Sequence, residues 1–204
     1  MSHIAIIGTG RMAAGLGAGW ARAGHAVVYG SRDPARSAAS AALGGARVAT
    51  HTGALEGAEV VVITLPYPAV ERFAADHAAA LRGKLVVDIT NPFHHLPDNR
   101  ISGAEVTAAA IGPGARVVAA FKANFAETLL EPIGENGMVR DVLYAGDDEA
   151  GKRIVAALIE DLGFRPVDCG ALRNARVLDG MVPLIIELDA RSGGGHKSSW
   201  KFLA

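Results

Sequence analysis

Cysteine is nearly absent: Cys169 stands alone among 204 residues. One thiol excludes an internal disulfide, and a reducing cytoplasm is the natural setting. Neither sign of charge is in excess, since 20 Lys and Arg meet 21 Asp and Glu for a formal net charge of −1. That balance points away from nucleic acid and from anionic membrane surfaces. Long hydrophobic runs are missing too. No stretch approaches the ~18 uninterrupted apolar residues of a membrane span. The opening "MSHIAIIGTGR" breaks its apolar run with Gly, Thr and Arg within a few residues, unlike a signal peptide. A soluble protein is expected.

What is present is ordinary globular composition, 50% apolar and 20% charged. The length suits one sizeable domain, or one with a small appendage. Short β-rich runs, "HIAII" (3–7), "HAVVYG" (25–30), "EVVVITL" (59–65), "KLVVDIT" (84–90) and "ARVVAAF" (115–121), alternate with helical stretches at 11–24, 33–43 and 67–83. The runs are near-continuously apolar, as strands covered on both faces must be. This order predicts an α/β fold, a Rossmann-type doubly wound parallel sheet, over residues 1–140. Residues 141–204 read as a small C-terminal α/β portion: a strand at 141–146, a capped helix at 147–163, an extended piece at 164–170 and a helical run at 173–192. Pro183 should kink that last run or mark its restart. The tail after it is expected to be flexible at Gly193–Gly195, with terminal aromatic and apolar residues able to dock.

"IAIIGTGRMAAGLG" places Gly8-x-Gly10-x-x-Ala13 between a strand and a helix start. Gly8 permits the tight turn, Gly10 lets the backbone approach a pyrophosphate, and small Ala13 lets helix and strand pack closely. The helix N-terminus adds N–H donors and the positive end of its dipole. The strand–turn–helix context makes this more than a loose glycine pattern.

About 20 residues beyond such glycines an acid normally binds the adenosine ribose 2′-hydroxyl. Here the second strand ends in Gly30, Ser31 and Arg32. A carboxylate would repel a 2′-phosphate, whereas a hydroxyl and a planar guanidinium suit one, and Arg36 offers a second cation a helical turn on. The residues therefore select NADP(H). Asp33 before Pro34 reads as the N-cap of the following helix.

Other patterns carry less. "GGGHKSS" (193–199) lacks a preceding strand and has His196 where a phosphate loop needs its Gly–Lys step. His94 and His95 have no acid or cysteine at ligand spacing, so a polar loop is expected and no metal. Cys169 reads as a small packed residue, not a nucleophile. No catalytic acid or base is nominated.

Taken together, these residues resemble the NADP oxidoreductase family that uses the deazaflavin coenzyme F420. The likeness runs through "IGTGRMAAGL", "GSRDP", "VITLPY", "VVDITNP", "AGDDEAGKRIVAALIEDLGFRPVDCGALRNAR" and "PLIIEL". The resemblance implies a Rossmann domain with a small C-terminal portion, a homodimer, and hydride passage between NADPH and a deazaflavin. It implies that Thr9, Gly10, Arg11 and Met12 hold the pyrophosphate side, with Ser31, Arg32 and Arg36 on the 2′-phosphate. Leu65 and Pro66 would border the nicotinamide half. At 119–122 the chain reads Ala-Ala-Phe-Lys, a departure from the family's Lys-Ala-Phe-Asn-like pattern on the acceptor side.

A direct hydride transfer between stacked rings asks the protein for alignment and exclusion of water. An NADPH-dependent reductase of a deazaflavin or similar planar small-molecule ring is the first expectation. A flavin or ferric reductase is the second. A non-catalytic NADP(H)-sensing module whose C-terminal helix contacts a partner is the third.

Overall fold

The computed structural model describes residues 1–39, 43, 45–93 and 100–203; the expected polar loop at His94 and His95 lies outside them. Its elements follow the chain as β1 (His3–Ile7), α1 (Arg11–Arg22), β2 (Ala26–Ser31), α2 (Pro34–Ala38), β3 (Val48–Thr50) and α3 (His51–Leu55). Next come β4 (Val60–Ile63), α4 (Val70–Asp76), α5 (Ala78–Leu81), β5 (Leu85–Asp88), α6 (Gly103–Ile111) and β6 (Arg116–Ala120). The last are β7 (Asp141–Gly146), α7 (Glu149–Glu160), β8 (Arg165–Asp168) and α8 (Ala175–Ser192).

The eight strands of the described residues join one sheet in the order β3-β2-β1-β4-β5-β6-β7-β8. The first six run parallel in the doubly wound order 3-2-1-4-5-6. β7 pairs antiparallel with β6, and β8 runs parallel to β7. The segment after residue 140 therefore lengthens the same sheet.

The apolar strand runs follow from this layering. Along β1, Ile4 and Ile6 join one core with Trp20, Tyr29 and Ile159, while Ala5 and Ile7 join the opposite core with Val61, Phe73 and Val86. A strand with both faces buried has no position to spare for a polar residue. Three short elements escape the sequence reading. β3 has only three residues, α3 has five, and α6 follows a stretch whose sequence carries no apolar period. The α6 start is nonetheless marked by a capping box, in which Ser102 and Glu105 satisfy each other's backbone N–H groups.

The helix α8 runs unbroken through Pro183, with no restart there, and ends at Gly193 in the left-handed conformation (φ 68°). A proline inside a helix leaves the carbonyl four residues earlier, that of Asp179, without its usual helical donor.

Candidate cofactor and acceptor site

The strand ends of β1, β2, β4, β5 and β6 gather on one edge of the sheet, where the order reverses between β1 and β4. Gly8 leaves β1 with φ +122°, and a side-chain carbon there would stand 2.4 Å from Thr64 Oγ1. Its N–H donates to the Gly30 carbonyl at 2.9 Å, tying the turn to β2. Only glycine fits. Gly10 is different, because a carbon added there meets nothing within 4 Å. It N-caps α1 with no side chain to cap the helix and no acid in the first turn. The first N–H groups and the positive dipole end are therefore presented to an anion. Ala13 is fully buried, as close helix–strand packing requires.

Ser31 closes β2, and its Oγ lies 2.7 Å from Ser37 Oγ. Ser37 Oγ in turn lies 3.5 Å from Thr9 Oγ1, so three hydroxyls link the glycine turn to α2. Asp33 is the N-cap, its carboxylate accepting the Arg36 N–H at 3.1 Å with Pro34 in the first turn. That carboxylate serves the helix. Arg32 and Arg36 are exposed, and neither side chain has an ion pair among the described residues. Arg32 lines a cavity of about 440 Å³ with His51, Leu65, Pro66, Phe73 and His77. The His51 ring meets Phe73 edge-on at 5.2 Å. Burial, then the neighbouring His77 and Arg32, push the His51 pKa down, so a neutral imidazole stands beside the guanidinium at pH 7.

A second cavity, of about 450 Å³, holds Gly10, Arg11 and Met12 on one side and Asn91, Lys122 and Phe125 on another; Val182, Ile185 and His196 come from the C-terminal portion. Arg11 is paired with Glu127 across its rim. The expected cofactor residues thus divide between two cavities. Gly10, Arg11 and Met12 line the second, Arg32, Leu65 and Pro66 the first, and Gly8, Thr9 and Ser31 form the turn and hydroxyl chain. Arg36 lies on α2.

The loop after β6 holds Phe121 and Lys122, which the sequence reading marked as a departure on the acceptor side without giving either a structural role. Phe121 sits at φ +54° with its ring buried against Trp20, centroids 6.2 Å apart. A non-glycine residue held in this region is overdetermined by its surroundings. The turn buries Lys122, whose side chain is 1% exposed. Lys122 Nζ lies 3.3 Å from Asp88 Oδ1 and 3.2 Å from Asp179 Oδ1, and it donates to the Thr90 carbonyl. Asp88 is fully buried and also accepts from Thr90 N and Thr90 Oγ1, both at 2.8 Å, and from Thr107 Oγ1 at 2.6 Å. Asp179 accepts the Gly103 N–H at 2.8 Å, and among the described residues its Oδ1 has only the ionic contact with Lys122. Burial raises the Asp179 pKa, while Lys122 and the Gly103 N–H oppose the rise. One ammonium thus ties β5, the β6 loop and α8 together beneath the second cavity.

A glycine turn at the strand-order reversal, an uncapped helix N-terminus and unpaired arginines at the end of β2 define a Rossmann-type dinucleotide-binding protein. A profile of the family described as "NADP oxidoreductase coenzyme F420-dependent" matches residues 3–92. The F420-dependent NADP reductase of Methanothermobacter marburgensis is 32% identical over 93% of this chain and 93% of its own. The chain belongs to the F420-dependent NADP reductase family. A crystal structure from an Arthrobacter species, described as a candidate F420-dependent NADP-reductase, superposes with a TM-score of 0.89 at 28% identity, both chains covered in full. The metalloreductase STEAP3 of Rattus norvegicus is 32% identical over 89% of this chain, which spans 36% of that protein.

Proposed function

We propose that this protein is an oxidoreductase passing hydride between NADP(H) and the deazaflavin F420. The observation that carries this reading is the pairing of two features on one sheet edge. Gly10 leaves room for a pyrophosphate over the α1 N-terminus, and the exposed Arg32 has no ion pair among the described residues. The hydroxyl of Ser31 and the guanidinia of Arg32 and Arg36 suit a 2′-phosphate, and Thr9, Arg11 and Met12 border the pyrophosphate and nicotinamide path. Leu65 and Pro66 wall the cavity that Arg32 shares.

The acceptor ring then belongs in the cavity beside Met12 and Phe125. Residues 141–204 are its acceptor-side portion, supplying Val182 and Ile185 from α8. When bound, the two rings supply the redox chemistry, with hydride and one proton added to the acceptor. A deazaflavin has carbon where a flavin has its reactive nitrogen, so it takes hydride as a two-electron unit. The chain's work is alignment and exclusion of water. Apolar walls from Met12, Phe125, Val182 and Ile185 exclude solvent, and Asn91 offers an amide. Exposed apolar side chains on α8, Val177, Leu184 and Leu188, support a homodimer built through that helix. Among the described residues no helix is long and apolar enough to cross a membrane. A cytoplasmic setting keeps Cys169 a thiol.

The test is NADPH carrying deuterium at nicotinamide C4, offered with F420, FMN or a ferric chelate. Label recovered on the F420 ring, with F420 reduced faster than the others, is the expected result. Faster reduction of FMN or ferric iron, or wash-out of the label, overturns the reading in favour of a flavin or ferric reductase. The likeness to the metalloreductase makes that the second reading. No turnover with any acceptor would leave an NADP(H)-sensing module.

A further inference from the structure

The end of the chain is held in place far more firmly than its glycines suggest. After α8, Gly193, Gly195 and His196 all adopt positive φ, at 68°, 61° and 64°. Glycine takes this conformation freely, whereas histidine is strained there. What holds His196 in it is Asp189, a carboxylate on α8 that is 3% exposed. Asp189 Oδ2 accepts the His196 N–H at 2.8 Å, and Oδ1 accepts the Ser198 N–H at 3.0 Å.

A second buried acid fixes the far end. Asp141, at the start of β7, accepts Lys201 Nζ at 2.7 Å and the Phe202 N–H at 2.8 Å, besides the Arg165 guanidinium. Burial pushes its pKa up, but hydrogen bonds from Arg165, Lys201 and the Phe202 N–H outweigh this and bring it down to about 2. Between the two pins, Arg140 donates to the Lys197 carbonyl at 2.6 Å and to Ser199 Oγ at 3.2 Å. Residues 194–202 therefore form a strap pinned at both ends by buried carboxylates.

The strap reaches the second cavity through His196. Its ring lies 5.3 Å from that of Phe125 at an interplanar angle of 41°, and both rings line the cavity opposite Gly10 and Met12. Among the described residues the imidazole nitrogens have no hydrogen-bond partner. His196 is exposed, so its imidazole is free to meet a ligand at the mouth of the cavity, and the backbone conformation that Asp189 holds fixes where that ring stands. An imidazole beside a phenyl face suits a planar ring with carbonyl or phenolic oxygens on its edge.

We infer that His196 is a specificity-determining residue for the ring acceptor, contacting it through the imidazole, and that the strap serves to hold His196 at the wall of the acceptor cavity. The inference rests on the acceptor lying in that cavity, as proposed above.

The test compares wild type with His196→Ala, which removes the ring, and His196→Gln, which keeps an N–H donor. F420 binding is titrated directly, alongside steady-state kinetics and NADPH titration. Losing one hydrogen bond and a ring contact should weaken F420 roughly three- to tenfold in Kd and KM for His196→Ala. The Gln variant should recover part of this, with NADPH affinity unchanged in both. Ser198→Pro, which removes one donor to Asp189, should weaken F420 in the same direction while NADPH still binds. An unchanged F420 Kd in His196→Ala, or an equal loss of NADPH affinity, overturns the inference while leaving the hydride reaction standing. If wild type binds F420 without reducing it, the proposed reaction fails, and the Kd comparison still decides the role of His196.

Discussion

Replacing Lys122 by Met nearly keeps the length of the side chain and removes its charge from a site where that side chain is 1% exposed. The two carboxylates left behind are unequally served. Asp88 retains three hydrogen bonds, from Thr90 N, Thr90 Oγ1 and Thr107 Oγ1. Asp179 retains one, from Gly103 N, and among the described residues its Oδ1 is left without a partner. Breaking a buried pair by removing one partner costs about 3–5 kcal/mol. At about 2–4 °C per kcal/mol for a chain of this size, the melting temperature should fall by roughly 6–20 °C.

The loss should depend on pH, because Asp179 can shed its unpaired buried charge by taking up a proton. Burial already raises its pKa above the ordinary 3.8, and Lys122 is one of the influences restraining that rise. In Lys122→Met the folded-state pKa climbs further while the unfolded value stays put. The folded chain then holds a proton that the unfolded chain releases, so stability falls with rising pH through the window between the two values. The slope is about 1.4 kcal/mol per pH unit there. Thermal melts followed by circular dichroism should show a larger deficit at pH 8 than at pH 5. Adding Asp179→Asn removes the stranded charge and should recover a good part of the loss. A single variant melting within about 2 °C of wild type at both pH values would refute the reasoning. So would a double variant less stable than the single one.

Two further expectations concern the cofactor. Arg32→Ala should weaken NADPH by the equivalent of one charge-assisted hydrogen bond, about 1.5–3 kcal/mol or roughly 10- to 150-fold, and leave NADH unchanged in fluorescence titration. Equal wild-type affinity for the two cofactors would refute that assignment. Gly10→Val should abolish binding of both, since its side chain fills the space over the α1 N-terminus. The melting temperature should hardly move, because the added carbon meets nothing within 4 Å and the backbone there is extended (φ −79°, ψ −175°). A variant that binds NADPH normally would place the pyrophosphate elsewhere.

What could be read from the sequence was what local spacing encodes. The near-continuous apolar runs marked β1, β2, β4, β5 and β6 because burial on both faces leaves a chemical trace along the strand itself. The end of β2 was legible because a short connection fixes its distance from the glycine turn. Asp33 before Pro34 was equally local, and the structure makes it the N-cap. By contrast, the three residues of β3 are too few for any period to emerge, and Ser37 joins the hydroxyl chain only because α2 begins where it does. The start of α6 did carry a signal, the Ser102–Glu105 capping box, which an apolar-period reading passes over.

The β6 loop shows why the acceptor side resists the same treatment. The departure at 119–122 was visible as a change of residue type, yet a lone lysine in an apolar context has no local interpretation. Its partners lie 34 residues back in β5 and, on α8, beyond two further strands. Only when those elements converge does the lysine become a buried cation balanced by Asp88 and Asp179. The strap makes the complementary case. Its glycines measure how freely the unfolded chain can turn, and so it reads as loose. The folded conformation is set instead by Asp189 and Asp141, neither of which gives a local sign of the segment it holds. At the glycine turn and the end of β2 the determinants are backbone and short-range, so they are written in consecutive residues. Around the second cavity they are side chains brought together by the sheet, so what that cavity recognises has to be sought in the folded chain.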